Sequence, residues 1–194
     1  MSKENLDTND KIQLIINKLK KNLKLIITLF FIAVLAFSLL TFIKIKEENK
    51  NILISEKYNQ AKVFINNKKN NEGLVILEEV INTKHPFYSP LSLYLILDSN
   101  LTNDADKITE LFDKVISNNN IDKENINLIK LKKALYLSND QNEQALLELL
   151  NPIINSGSHW RVIAITFLKD YFLSKDNYLK AEEYNKLLST NLEK

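Results

Sequence analysis

Nineteen consecutive uncharged residues, Leu25 to Ile43 (LIITLFFIAVLAFSLLTFI), sit between Lys24 and Lys44 and constrain this chain more than any other feature. A helix rises about 1.5 Å per residue, so this run reaches roughly 28 Å, close to the ~30 Å hydrocarbon thickness of a bilayer. Its apolar side chains fall on every helical face, leaving no polar stripe of the kind a buried core helix keeps. Leu, Ile, Phe and Val each favour the bilayer centre by about 0.3–0.6 kcal/mol, which together outweighs the small penalties of Thr28, Ser38 and Thr41. Those hydroxyls can bond the helix's own carbonyls one turn earlier. The segment predicts one transmembrane helix at 25–43. It exceeds the about 7–15 residues of a secretory signal core. It also runs into Thr41-Phe42-Ile43-Lys44-Ile45-Lys46 with no small-x-small cleavage site, so it reads as a retained anchor.

Lys11, Lys18, Lys20, Lys21 and Lys24 precede the span, and Lys44, Lys46, Lys50 and Lys57 follow it. The denser cluster on the short N-terminal side predicts a cytoplasmic tail at 1–24 and a translocated domain at 44–194. Within the tail, Met1 to Asp10 is polar. From Lys11 to Lys24, Ile12, Ile15, Ile16, Leu19 and Leu23 recur at helical spacing among lysines. This amphipathic segment reads either as a contact helix for a membrane partner or anionic lipid, or more plainly as the charged extension of the membrane helix.

Composition narrows the function classes. With 26 basic against 24 acidic side chains and a net charge of +2, the chain lacks the clustered basic excess that duplex binding uses to release counterions. The absence of Cys removes disulfides, thiolate nucleophiles, Cys-rich zinc sites and a lipid-modified N-terminal Cys. Two Gly are too few for glycine-built phosphate loops or an all-β fold. His85 lies in the turn Lys84-His85-Pro86 and His159 beside Trp160, neither with a second ligand at metal-binding spacing. Glu78-Glu79, Asp104 with Asp106, and Glu182-Glu183 are adjacent or two apart, so each pair fans around its helix instead of converging. The expectation is no catalytic residue, no cofactor and no metal: the chain does not read as an enzyme.

From Lys44 onward everything reads as helix. Apolar residues recur at three and four in eight segments, opening on Tyr58, Leu74, Leu91, Ile108, Ile126, Ala145, Ile163 and Tyr178. Between them lie cap and turn residues: Asn70-Asn71, Thr83 to Pro90, Thr102-Asn103-Asp104, Ser117 to Asp122, Ser138-Asn139-Asp140, Ser156-Gly157-Ser158 and Lys175-Asp176-Asn177. Gly73, Ala145 and Ala181 stand at multiples of 36, each just inside the second helix of a pair, where a small side chain lets two helices close up. Ala61 and Ala134 sit 12 and 11 residues before the first two of these. The pair from Leu91 to Asn118 lacks both small residues, and Pro152 should kink or end its helix. The fold class is therefore all-α: one transmembrane helix followed by a tetratricopeptide-like α-solenoid of about four helical hairpins, with an irregular helical bundle as the alternative.

A charged tail, one span near residue 25 and a small domain of paired helices resemble the bacterial YfgM-like family, an ancillary subunit of the SecYEG translocon. The likeness is carried most by Gly157-Ser158-His159-Trp160-Arg161 with Ile163-Ala164, then Leu173-Ser174-Lys175-Asp176-Asn177-Tyr178-Leu179-Lys180-Ala181. In that family a Trp opens the penultimate helix after a Gly-containing turn, and a Lys-Gly-Asp-like turn with a small residue opens the last. Asp176 and Ala181 match, whereas Ser174-Lys175 stands where Gly is common. The resemblance implies an inner-membrane protein with a periplasmic domain that associates with the translocon and with periplasmic chaperones or emerging clients. It brings no catalytic residue. An envelope-organising repeat protein that binds a cell-division or outer-membrane assembly factor is the alternative.

In such folds the first helices of each pair line a concave face. The candidates there for holding a partner segment are Asn59, Lys62, Asn66, Tyr94, Asp98, Lys130, Lys133, Thr166 and Asp170. Trp160-Arg161 has two readings: a binding hot spot, or a plug between repeats in which Arg161 bonds a neighbouring carbonyl or acid.

Overall fold

The computed structural model describes residues 12–13, 15–17, 20–138 and 142–192. Among these, all regular structure is helical, and eight helices follow one another: α1 (Leu23–Asn66), α2 (Asn70–Asn82), α3 (Tyr88–Asp98), α4 (Ala105–Ile116), α5 (Lys123–Leu137), α6 (Glu143–Ile154), α7 (Arg161–Ser174) and α8 (Tyr178–Leu192). The polar tail Met1 to Asp10, Lys11, Lys18, Leu19 and the turn residues Asn139-Asp140 lie outside the described residues. Residues 12–13, 15–17 and 20–21 are helical as well, with Ile12, Ile15 and Ile16 exposed.

The chain divides into two units, 1–52 and 53–194. In the first, α1 is long and apolar enough to cross a membrane: its 18-residue window has a mean hydropathy of 2.8 and is 0% buried. The Thr28 and Thr41 hydroxyls donate to the carbonyls of Lys24 (2.9 Å) and Phe37 (2.8 Å), each one turn back, as the sequence suggested. The expected boundary at 43/44 leaves no mark on the backbone. Lys44 to Lys57 contains neither Gly nor Pro, so nothing interrupts the ladder and the helix runs on to Asn66.

In the second unit consecutive helices from α2 to α8 pack on one another, and α2 also meets α4. After α1, α2, α3 and α7 the backbone turns through a non-glycine residue at positive φ: Lys68 (60°), Lys84 (55°), Asn100 (48°) and Asp176 (55°). The turns after α1, α3 and α7 close with the same pair of bonds, one from that residue's N–H and one from the next. Lys68 and Lys69 donate to the carbonyls of Ile65 and Phe64, Asn100 and Leu101 to Leu97 and Ile96, and Asp176 and Asn177 to Leu173 and Phe172. This is the helix-terminating arrangement usually given to glycine. Asp104 and Asp122 cap helix starts as anticipated, accepting from the N–H of Lys107 and Asn125, while α6 is capped by Asn142, beyond the expected turn residues, which accepts from the Ala145 N–H.

Two starts and stops differ from the sequence reading. Helix α3 begins at Tyr88, so Pro90 lies in its first turn, where a missing N–H breaks no intrahelical bond. His85 Nδ1 accepts from the N–H of both Phe87 and Tyr88 at 3.1 Å, satisfying donors at that start. Helix α6 does not end at Pro152 but continues to Ile154, because Pro152 removes a bond only in the last turn while Ile153 and Ile154 are locked in the core.

The core comprises two apolar clusters. The first contains Leu77, Ile81, Leu93, Ile96, Leu111, Phe112 and Ile129, and the second Ala134, Leu146, Leu150, Ile153, Ile165, Leu168 and Phe172. Helix α5 contributes to both. Close approach of α1 and α2 depends on Gly73: a Cβ there would lie 2.7 Å from Ile65 Cγ1 and 3.3 Å from the Ala61 carbonyl oxygen. Ala181 is buried in the same role, whereas Ala145 is only half-buried. On α3 the small residues Ser89 and Ser92 are both fully buried; the Ser89 hydroxyl donates to the α2 carbonyls of Val80 and Ile81 at 3.3 Å.

Gly73→Val should destabilise the domain by about 2–3 kcal/mol through overpacking against Ile65, lowering Tm in thermal circular dichroism. Lys68→Gly, which removes a Cβ from the left-handed region and touches no side-chain contact, should raise stability by about 0.5–1 kcal/mol. A drop in Tm for Lys68→Gly, or no change for Gly73→Val, contradicts these assignments.

A candidate protein-binding groove

A groove of about 410 Å³ lies between the second half of α3, the α3–α4 turn, α4 and the second half of α5. Leu97, Ile108 and Phe112 form its apolar base; Tyr94 and Tyr136 stand as walls; Asp98, Asn100, Thr102, Asn103, Lys132 and Leu135 form the rim. The base belongs to the first core cluster, so the groove is shaped by packed side chains. The ring centroids of Phe112 and Tyr136 are 6.1 Å apart, fixing one wall against the base. Lys132 Nζ lies 4.6 Å from the centroid of the Tyr94 ring, a cation–π contact. Burial pushes the Tyr94 hydroxyl up to about 12, so near neutral pH it is a protonated group that can both donate and accept.

A second depression of about 360 Å³ is lined by Ser138 at the end of α5 and by Phe167, Asp170, Tyr171, Ser174 and Lys175 of α7 and its turn. Its charges are already engaged. Asp170 Oδ1 lies 3.3 Å from Lys169 Nζ, and Lys175 Nζ lies 5.8 Å from the Tyr171 ring centroid.

The sequence candidates distribute unevenly over these surfaces. Tyr94 and Asp98 meet in the first groove and Asp170 lines the second. Asn59, Lys62 and Asn66 are exposed on α1 and line neither, with Lys62 Nζ 5.9 Å from the Tyr58 ring centroid. Lys130 and Thr166 are half-buried outside both. Lys133 is not on an open face: it is 7% exposed, with its Nζ 2.6 Å from Asp113 Oδ1 of α4. Its neighbour Lys132 occupies the groove instead, one turn from Tyr136. Successive helical residues differ by about 100° in direction, and a Lys-Lys pair gives no sign of which member turns inward. Thr102, Asn103 and Tyr136 were also missed; the first two had been read only as turn residues.

The helix pairs are joined by polar contacts between their turns. Asn118 and Asn120 donate through their side-chain amides to the Lys84 carbonyl at 3.0 and 3.2 Å. One pair along, Glu124 gathers the segment before α7. Its carboxylate accepts from the Ser158 hydroxyl (2.8 Å) and the His159 N–H (3.0 Å), and its carbonyl accepts from Trp160 Nε1 (3.0 Å). Buried Asn127 donates to the same Ser158 oxygen at 3.1 Å. These bonds, led by the Ser158 hydroxyl, hold the Glu124 carboxyl below the ordinary carboxylate range. Trp160 is thus a joint between helix pairs. The partner foreseen for Arg161 does not materialise at Nε, which is buried with no hydrogen-bond acceptor among the described residues. His159 Nδ1 comes within 3.4 Å of Glu124 Oε2, a pairing across 35 residues that spacing could not reveal. Among the described residues no group of three or more His, Asp or Glu could hold a metal ion.

No family model matches the chain, and neither curated proteins nor solved structures provide a match.

The Tyr94 environment has a measurable consequence. Its ordinary value is 10.0 and its folded value about 12, so between those two the unfolded chain releases a proton that the folded chain retains. Stability therefore falls as pH rises from about 10 toward 12. An ultraviolet phenolate titration should show a late-ionising tyrosine that disappears in Tyr94→Phe, which should also flatten the alkaline loss of stability; an unchanged curve in that variant refutes the assignment.

Proposed function

We propose that this chain is a membrane-tethered adaptor of the bacterial inner membrane. The 25–43 segment spans the bilayer once with the N-terminus cytoplasmic, and a tetratricopeptide-like domain on the periplasmic side holds segments of protein partners. The observation that carries this reading is the apolar stretch of α1 with none of its window buried. Removing one large apolar side chain from water favours burial by about 1.5–3 kcal/mol, and the stretch has more than a dozen such groups, so a lipid environment satisfies it. The repeated turns after α1, α3 and α7 support the repeat reading of the domain. The groove between α3 and α5, lined by rings, amides and charges, supports protein binding.

The specific setting follows from the YfgM-like resemblance: association with the SecYEG translocon, and contacts with periplasmic chaperones or emerging clients. Tethering confines the groove to the membrane surface and raises its effective concentration near an emerging chain, so modest affinity suffices. The role needs shape and surface chemistry only, and no catalytic step.

The expected outcome in alkaline carbonate extraction is retention in the membrane pellet. In spheroplasts, added protease should digest the 53–194 domain, and in inverted vesicles it should leave that domain intact. Purification in mild detergent should bring channel subunits with it. Release into the aqueous fraction overturns the tether, and ample recovery of the chain without channel subunits overturns the translocon association.

A further inference from the structure

We propose that the groove between α3 and α5 reads an extended segment of a partner polypeptide through one apolar side chain flanked by an acidic and a basic residue. The apolar group seats between Tyr94 and Tyr136, the acid meets Lys132 and the base meets Asp98. The inference rests on the adaptor reading and names what the adaptor holds.

Three observations carry it. The volume, about 410 Å³, matches a side chain or two and is too small for a folded element. The base is apolar and already packed, with Ile108 and Phe112 buried, so an incoming apolar group meets a formed surface. The rim supplies the charge complementarity. Among the described residues, neither Lys132 nor Asp98 has an ion-pair partner, while nearby charges do: Lys133 pairs with Asp113 at 2.6 Å and Lys114 with Glu110 at 2.8 Å. Lys132 keeps its contact with the Tyr94 ring but has no carboxylate partner among the described residues, so this lysine and Asp98, on one rim, discriminate between segments by the sign of the residues beside the apolar anchor. The depression on α7 lacks this feature, because its aspartate is held by Lys169.

The test uses the full chain in lipid nanodiscs and two fluorescent, end-capped heptapeptides, Gly-Glu-Gly-Phe-Gly-Lys-Gly and its variant with Lys in place of Glu, followed by anisotropy. The wild type should prefer the Glu-containing peptide by about five- to tenfold, the worth of one charge contact and one like-charge penalty at a partly exposed rim. Lys132→Glu should invert that order, and Asp98→Lys should weaken both peptides while leaving the preference for Glu. Replacing Phe by Gly should abolish binding to every form. Both substitutions are at exposed positions, and unchanged thermal melting shows that the variants fold. Equal weakening of both peptides by Lys132→Glu, or no saturation with either peptide up to about 1 mM, overturns the proposal. Channel subunits recovered equally with wild type and Lys132→Glu, with no peptide bound, defeat the groove and spare the adaptor. Sign-dependent peptide binding by a chain that carbonate releases supports the groove and defeats the tether.

Discussion

Helix α5 has an apolar cluster on each side of it, and the 53–194 unit depends on its holding both. Ile129 belongs to the cluster built with α2, α3 and α4, and Ala134, little more than a turn later, belongs to the cluster built with α6, α7 and α8. Lys133 lies on the buried face of this helix, beside Ala134, while Lys132 and Leu135 on the other side stay exposed. A buried ammonium without a partner is strongly unfavourable, and Asp113 of α4 supplies the counter-charge at 2.6 Å. The ion pair fixes the rotation of α5 about its own axis. That rotation in turn directs Lys132 and Tyr136 to the groove and Asn127 to the joint with the α7 segment.

The joints between helix pairs follow a common rule. Apolar contacts bring the helices together without specifying their angular registration, since hydrophobic attraction is not directional. Registration comes from a few hydrogen bonds between turns: two asparagine amides on the Lys84 carbonyl, and the Ser158, His159 and Trp160 donors on Glu124. Each group sits at or near a helix terminus, where backbone carbonyls and amides lack intrahelical partners and are available to one another. The shape of the groove is therefore set at a distance, by turns that do not line it.

Much of this was legible in the sequence, and the reasons for the rest are physical. Apolar spacing such as Leu74, Leu77, Val80 and Ile81 located the helices because burial on one face imposes that period. Gly73 and Ala181 were legible as contact points because only small side chains permit the approach. Ser89 of α3 escaped notice, since a buried hydroxyl satisfied by carbonyls behaves as a small residue yet counts as polar in any pattern. The continuity of α1 past Lys44 was hidden because a change from apolar to charged sequence does not require a change of backbone. At the groove, Tyr94 and Asp98 were found on α3, but choosing between Lys132 and Lys133 required the orientation of α5, a tertiary quantity. Contacts such as Glu124 with Trp160 join residues some 36 apart and leave no local trace.

The left-handed residues that close α1, α3 and α7 also bear on how the domain comes apart. A chain with two glycines has none to place at these turns and uses Lys68, Asn100 and Asp176 instead. For Lys68 that conformation is disfavoured by roughly 1 kcal/mol or more, and for Asn100 and Asp176 by less, because short polar side chains tolerate it, so closing these turns carries a cost that packing must offset. Closure becomes favourable only when the neighbouring pair is already docked against it. Short helical arrays whose single units are unstable, coupled through strong interfaces, lose structure as one body rather than by peeling from an end. Glycine scarcity therefore tends to make unfolding of the 53–194 unit all-or-none, with few frayed intermediates.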